Sequence, residues 1–150
     1  MDSGYTILIC GHGALEDEVR SRVLSGGYSD SVQFLGMQDM MDILPQARVF
    51  FSLQENENYP SQSLQEAISC GCYCIATDCG DTGRIVKDAF GVRIPKDARK
   101  LSLAILACLS MSDEQFETAA TEARAFAMQN FYPQLAIEHY ESICEKLCKL

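Results

Sequence analysis

Short apolar runs alternate with amphipathic ones along this chain, and that alternation constrains the fold more than any other feature. YTILICG (5–11), VQFLG (32–36), RVFFSLQ (48–54), CYCIATD (72–78) and GVRIP (91–95) have the length and content of strands. After the first of them, ALEDEVRSRVL sets Leu15, Val19, Val23 and Leu24 on one helical face. MMDILPQA reads as a short helix broken near Pro45, and a further helix reaches about Cys70 with Gly71 as its stop. Beyond Pro95 the pattern turns helical: ARKLSLAILACLSM, DEQFETAATEARAFAMQ and YPQLAIEHYESICEKLCKL. In the last, Ile137, Tyr140, Cys144 and Leu147 form one apolar stripe, and Pro133 suits a first turn. Strands separated by helical segments predict right-handed βαβ units and an α/β fold, with a mainly parallel sheet flanked by helices on both faces. Ligands of such folds sit at the carboxyl ends of the strands. The loops after Cys10, Phe34, Leu53 and Thr77 are therefore the places to search.

Composition narrows the partners. The chain of 150 residues fits one domain. Its net charge of −9 argues against nucleic acid, which asks for a basic stripe. A small phosphorylated ligand stays open, because amides at a helix N-terminus hold phosphate without net positive charge. No apolar run nears the roughly 20 residues that span a bilayer. The start, MDSGYTILIC, shows no basic region of a signal peptide, so a cytoplasmic location is expected. The eight cysteines read as reduced thiols: Cys70, Cys72 and Cys74 alternate around a helix end and a strand, unlike the paired spacing of zinc sites. No metal site is expected.

Three strand exits carry polar or glycine-rich residues. Gly11-His12-Gly13 allows a tight turn and close backbone approach, with His12 either exposed or able to hydrogen-bond a ligand. The stretch ENENYPSQSLQE (55–66) has two readings. Ser63-x-x-Glu66 fits a capping box, in which the glutamate reaches back to the helix start. Alternatively the helix begins nearer Pro60 or Ser61, and Glu66 is free to face the strand ends. There a carboxylate suits a vicinal diol such as ribose, while the amides around Ser61 to Ser63 suit a phosphate. ATDCGDTGRIV (76–86) reads as a tight turn whose aspartates cap a short helix over Thr82 to Lys87. No Ser–His–Asp set stands out, and His12 and His139 lie in unrelated segments.

Taken together, GHGALEDEVR, VQFLG, FFSLQENENYPSQSLQEAISCGCYCIATDCGDTGRIV and GVRIP resemble the C-terminal, donor-binding domain of GT-B glycosyltransferases of the large retaining group. The specific block is E-N-Y-P, L-Q-E-A, G, A-T-D-x-G; GHG and FLG support it. The match runs from about Tyr5 to Pro95, and the last helices resemble the family's closing ones. The resemblance implies a Rossmann-like fold and a nucleoside-diphosphate sugar as donor substrate, with no cofactor and no metal. It also implies a carbohydrate or lipid-linked acceptor bound by a separate N-terminal domain, and polysaccharide biosynthesis as the setting. Peripheral membrane association of the parent enzyme is compatible with it.

Carried over by position, Glu66 resembles the ribose-binding glutamate. Tyr59, Pro60, Ser61, Gln62, Ser63 and Leu64 correspond to the loop that meets the diphosphate and sugar. Leu35, Gly36 and Met37 correspond to the border of the nucleobase, and Gly11, His12 and Gly13 to the glycine turn near the cleft. The family's first glutamate, spaced by seven residues from the second, falls on Asn58; Glu57 stands one residue further off. Glu57 takes the catalytic sugar contact if the loop carries one extra residue, and Asn58 otherwise. The chain begins about where the family's second donor-domain strand begins. It is therefore expected to be a piece that lacks the acceptor domain and a preceding strand and helix with a basic pair, and not to turn over alone. The rival reading is a non-catalytic α/β nucleotide-binding or interaction module. A dinucleotide oxidoreductase fits less well, because Phe34-Leu35-Gly36 stands where that fold needs an acid.

Overall fold

A computed structural model describes residues 4–57 and 59–148. Two compact units divide at Ile43 and Leu44. In the first, β1 (Ile7–Cys10), α1 (Glu16–Ser25), β2 (Val32–Gly36) and α2 (Met40–Ile43) follow one another. The two strands pair in parallel from Ile7 opposite Val32, with a register shift between Ile9 and Cys10. In the second, a 3-10 turn at Leu44–Gln46 leads into β3 (Val49–Ser52), α3 (Gln62–Cys70) and β4 (Tyr73–Thr77). A 3-10 turn at Gly80–Arg84, β5 (Gly91–Ile94), α4 (Ala98–Leu109), α5 (Asp113–Asn130) and α6 (Pro133–Cys148) complete it. Its sheet runs β3-β4-β5, all parallel. Every expected strand is present; β2 keeps its expected bounds and the other four are trimmed at their ends. The ladder, however, forms two hydrogen-bonded sheets where one was expected.

The second unit holds the core. Successive side chains of a strand face opposite sides, yet Cys74, Ile75, Ala76 and Thr77 are all buried, so β4 is covered on both faces. On the Ile75 face lie Ile94 of β5, Cys108 of α4 and Phe116 of α5, with Leu101, Ala104 and Ile105 packed around them. Leu64, Ala67 and Ile68 of α3 are buried as well. Helix α3 ends in a Schellman motif: the Cys72 amide donates to the Ala67 carbonyl and the Gly71 amide to that of Ile68, both at 3.0 Å. Gly71 holds φ at +87°, and its missing Cβ leaves room for the Arg124 guanidinium, which donates to the Cys70 carbonyl at 3.3 Å. The cation of α5 thus neutralises the negative end of α3.

Two of the apolar stripes read from the sequence are left largely uncovered. No residue of α1 is buried; Leu15 precedes the helix as its N-cap, and Leu24 is 73% exposed. No described residue of α6 is buried either, and Tyr140 is 68% exposed. Periodicity reports which face of a helix is apolar, and whether a neighbour covers that face is a tertiary matter.

All eight cysteines are free thiols, with Cys72, Cys74 and Cys108 buried and Cys144 and Cys148 exposed on α6. Burial pushes the Cys72 thiol up to about 12, and it raises that of Cys74 as well. Alkylation under native conditions, followed by peptide mass mapping, is expected to label Cys144 and Cys148 well before Cys72 and Cys74. The folded state holds these two buried protons more tightly than the unfolded chain. Their contribution to stability is therefore complete below the unfolded thiol value near 9 and falls as pH rises from there.

Candidate ligand loops at the strand ends

In the first unit the glycine turn and the loop after β2 meet. The Gly11 amide donates to the Gly36 carbonyl at 2.7 Å, and the His12 ring lies against Gly36. His12 Nδ1 is 3.2 Å from Glu16 Oε2. Glu16 in turn accepts from Arg20 through Nε at 3.0 Å and Nη2 at 2.8 Å. The Arg20 bonds, then that of His12, hold the Glu16 carboxyl below its ordinary value. The Arg20 guanidinium stacks 4.1 Å from the Phe34 ring centroid. Beside it, the Leu35 carbonyl accepts from Gln38 Nε2 at 2.8 Å, and Met37 is exposed. Gly11, His12 and Gly36 thus share one place, while Gly13 accepts the Glu16 amide at the helix entry.

In the second unit the loops leaving β3 and β4 are stitched together. Thr77 Oγ1, buried at the end of β4, donates to the Gln54 carbonyl at 2.7 Å. Glu57 Oε1 accepts from the Asp81 amide at 3.2 Å. Its carboxylate occupies the space where a Cβ on Gly80 would stand, and Gly80 has φ +48°. The left-handed φ favours glycine at position 80, and a larger residue there would displace the Glu57 side chain. The aspartates of this exit do not cap its turn, as the tight-turn reading expected: Asp78 pairs with Arg93 at 3.0 Å and Asp81 with Arg84 at 3.2 Å. Beyond β5, Lys96 pairs with Glu55 at 2.6 Å, and that bond holds the Glu55 carboxyl below its ordinary value.

The start of α3 decides between the two readings of ENENYPSQSLQE. The helix begins at Gln62 with Ser61 as N-cap, so no Ser63–Glu66 capping box forms. Glu66 sits a full turn inside, half-buried, and accepts from Gln62 Nε2 at 2.8 Å. Ser61 is buried, yet its hydroxyl lies 3.4 Å from that of Ser63 and caps no amide. Leu64 is only 2% exposed, and its side chain belongs to the core. Tyr59 and Pro60 are exposed and lead into the helix. Asn58 lies outside the described residues.

The contrast with other helices is informative. Helix α1 carries Glu16, Asp17 and Glu18 in its first turn. Helix α4 is capped by Asp97, and α5 by a full Ser112–Gln115 capping box. Helix α3 has neither an acid in its first turn nor a side-chain cap. Its positive end and first-turn amides are left for an acceptor from outside the helix.

The sequence family described as glycosyl transferases group 1 matches residues 1–125. The chain belongs to that family. No curated protein sequence matches it. Among solved structures, HepE from Anabaena in complex with UDP is similar with a TM-score of 0.81 at 21% identity, over 97% of this chain and 41% of that one. A glycosyltransferase from Rickettsia africae reaches 0.85 at 17% identity, covering 97% and 40%. Sucrose-phosphate synthase from Thermosynechococcus elongatus reaches 0.81 at 19%, covering 95% and 38%. The group 1 chain thus shares their fold and spans about two-fifths of their length. Its parallel sheets flanked by helices are the α/β fold that the sequence predicts.

Sequence reading missed two basic residues beside these loops in this group 1 chain, one of them on α1. Arg20 stacks on Phe34, and Arg84 lies with its guanidinium centre 5.4 Å from the Tyr59 ring centroid. Neither has a local signal, because each pairs with an aromatic residue distant in the chain. Among the described residues no cluster of three His, Cys, Asp or Glu side chains is placed to hold a metal ion. Among them, too, no helix is long and apolar enough to cross a membrane.

Proposed function

We propose that this chain is the donor-binding part of a glycosyltransferase that moves a sugar, with retention, from a nucleoside-diphosphate sugar to a carbohydrate or lipid-linked acceptor. The observation that carries the reading is the open N-terminus of α3, uncapped and free of acids in a protein of net charge −9. A diphosphate is the ligand such an end accepts: the amides of Gln62, Ser63 and Leu64 supply donors and the helix dipole supplies positive potential. Glu66, one turn along, takes the ribose diol. Glu57, or Asn58 beside it, takes the sugar. In the first unit, Leu35, Gly36 and Met37 correspond by resemblance to the family's nucleobase border, and Gly11, His12 and Gly13 to its glycine turn.

Catalysis on this reading needs no side-chain nucleophile. Negative charge grows on the departing diphosphate, and pre-placed amides and dipoles stabilise it as it forms. HepE has been solved with UDP and with UDP-glucose, which supports a nucleotide sugar as the ligand class. The reaction itself calls for an acceptor-binding region as well as this one, and no cofactor or metal enters the proposal. Thermal unfolding in the presence of UDP, ADP, GDP and their glucose conjugates tests the reading. One of them at a hundredfold excess over its dissociation constant is expected to add about 2.7 kcal/mol and raise the midpoint by several degrees. No shift with any of the six would overturn it.

A further inference from the structure

Three basic side chains stand at the carboxyl edge of the three-stranded sheet. Arg93 is tied to Asp78 and Lys96 to Glu55. Arg84 differs. It leaves the turn after β4 and lays its guanidinium over Tyr59, two residues ahead of the Ser61 N-cap. Nη1 donates to Asp81 Oδ2 at 3.2 Å. A planar guanidinium with one face on a ring and one N–H on a carboxylate is held in orientation, yet it keeps further in-plane donors. The side chain is 67% exposed, so those donors are within reach of a ligand in solvent.

We propose that Arg84 binds the diphosphate, supplying the cationic half of a clamp whose neutral half is the first-turn amides of α3. The assignment rests on the donor-binding reading above and names a residue that reading did not contain. Asp81 and Tyr59 then act as positioning residues: the carboxylate and the ring aim the guanidinium toward the helix start. A bidentate Arg–phosphate pair suits a diphosphate better than a lysine would, because its two parallel N–H bonds match the spacing of phosphate oxygens. In turnover the same cation meets charge that grows on the leaving group, so its loss lowers kcat as well as affinity.

The test is calorimetric titration of the full chain, native, Arg84→Gln and Arg84→Lys, with UDP, ADP and GDP and with uridine, adenosine and guanosine at one salt concentration. For the diphosphate that the native chain binds, Arg84→Gln is expected to weaken affinity by about ten- to a hundredfold. Affinity for the matching nucleoside stays unchanged, and Arg84→Lys recovers part of the loss. The native chain also shows the steeper salt dependence, since an exposed charge pair is screened. Equal affinity of native and Arg84→Gln protein for the diphosphate overturns the assignment. So does an equal loss for diphosphate and nucleoside, which would mark Arg84 as a support for Tyr59 and the loop. Failure is separable from that of the underlying reading: if the native chain binds none of the three diphosphates, the donor site itself is wrong and Arg84 falls with it.

Discussion

On the donor-binding proposal, Glu66→Ala is expected to lower the affinity of the chain for a nucleoside diphosphate by about ten- to a hundredfold, with little change in unfolding temperature. The size follows from the bond lost: a hydrogen bond to a charged carboxylate contributes about 1.5–3 kcal/mol, and 1.4 kcal/mol is a factor of ten. Glu66 is suited to that bond by its place on the helix. The start of α3 at Gln62 leaves the carboxylate one turn inside, where it serves no capping function. Gln62 Nε2 occupies part of Oε1 and steadies the group. Two carboxylate oxygens can accept from the two hydroxyls of a ribose, a match that an amide reproduces only in part. Glu66→Gln is therefore expected to fall between native and alanine. Titration of native, glutamine and alanine proteins with the diphosphate decides the matter, and an unchanged affinity in the alanine variant removes Glu66 from the site. Because Glu66 contributes one partly exposed bond to Gln62, the folded state loses little.

For an acidic protein to hold an anion, as proposed here, a local answer to a global repulsion is needed. The first turns of α1 and α5 carry acids, and α4 carries an aspartate cap, each of which would repel a phosphate. Helix α3 has Gln62, Ser63 and Leu64 in the corresponding positions. Amides and a dipole need no counter-ion inside the fold, so the net charge of −9 does not conflict with phosphate binding. The surrounding acids are occupied: Glu55 by Lys96, Asp78 by Arg93 and Asp81 by Arg84. These exposed pairs add little to stability, but each offsets one carboxylate charge at the strand exits.

The fold was legible because it depends on patterns shorter than ten residues. YTILICG, VQFLG, RVFFSLQ, CYCIATD and GVRIP each read as a strand, and each contains one. Pro45 broke its helix and Gly71 ended α3 as their backbone chemistry requires. The start of α3 was ambiguous for a physical reason. Ser61 and Ser63 are both good caps, and the choice rests on how the loop from β3 enters the helix, which Thr77 and the Asp81 amide help to fix from another strand exit. Arg84 was invisible on the same grounds, since its aromatic partner lies 25 positions earlier, as the numbering of Arg84 and Tyr59 shows. The exposed stripes of α1 and α6 mark the other boundary of sequence reading: the period is local, and the cover is not.

Phe90→Ala is expected to cost about 3–5 kcal/mol, the largest loss of stability proposed for this chain. Phe90 precedes β5 and is only 2% exposed. Its ring packs 5.3 Å from Phe126 of α5, which in turn meets Phe131 edge-on at 5.5 Å. Its carbonyl accepts the Cys74 amide at 3.0 Å, so the residue joins the entry of β5 to the buried strand β4. Truncation removes a ring and leaves a void that the two helix aromatics cannot both fill. Phe90→Leu retains most of the volume and is expected to cost much less. Urea unfolding of the two variants beside the native chain measures the difference through the shift in midpoint. Phe90 stands at the amino end of β5, whereas the proposed ligand loops follow the carboxyl ends of β3 and β4. Under conditions where the alanine variant remains folded, its diphosphate affinity should therefore equal that of the native chain. A loss of affinity without a loss of stability would reverse the assignment of Phe90 to the core and place it in the ligand site instead.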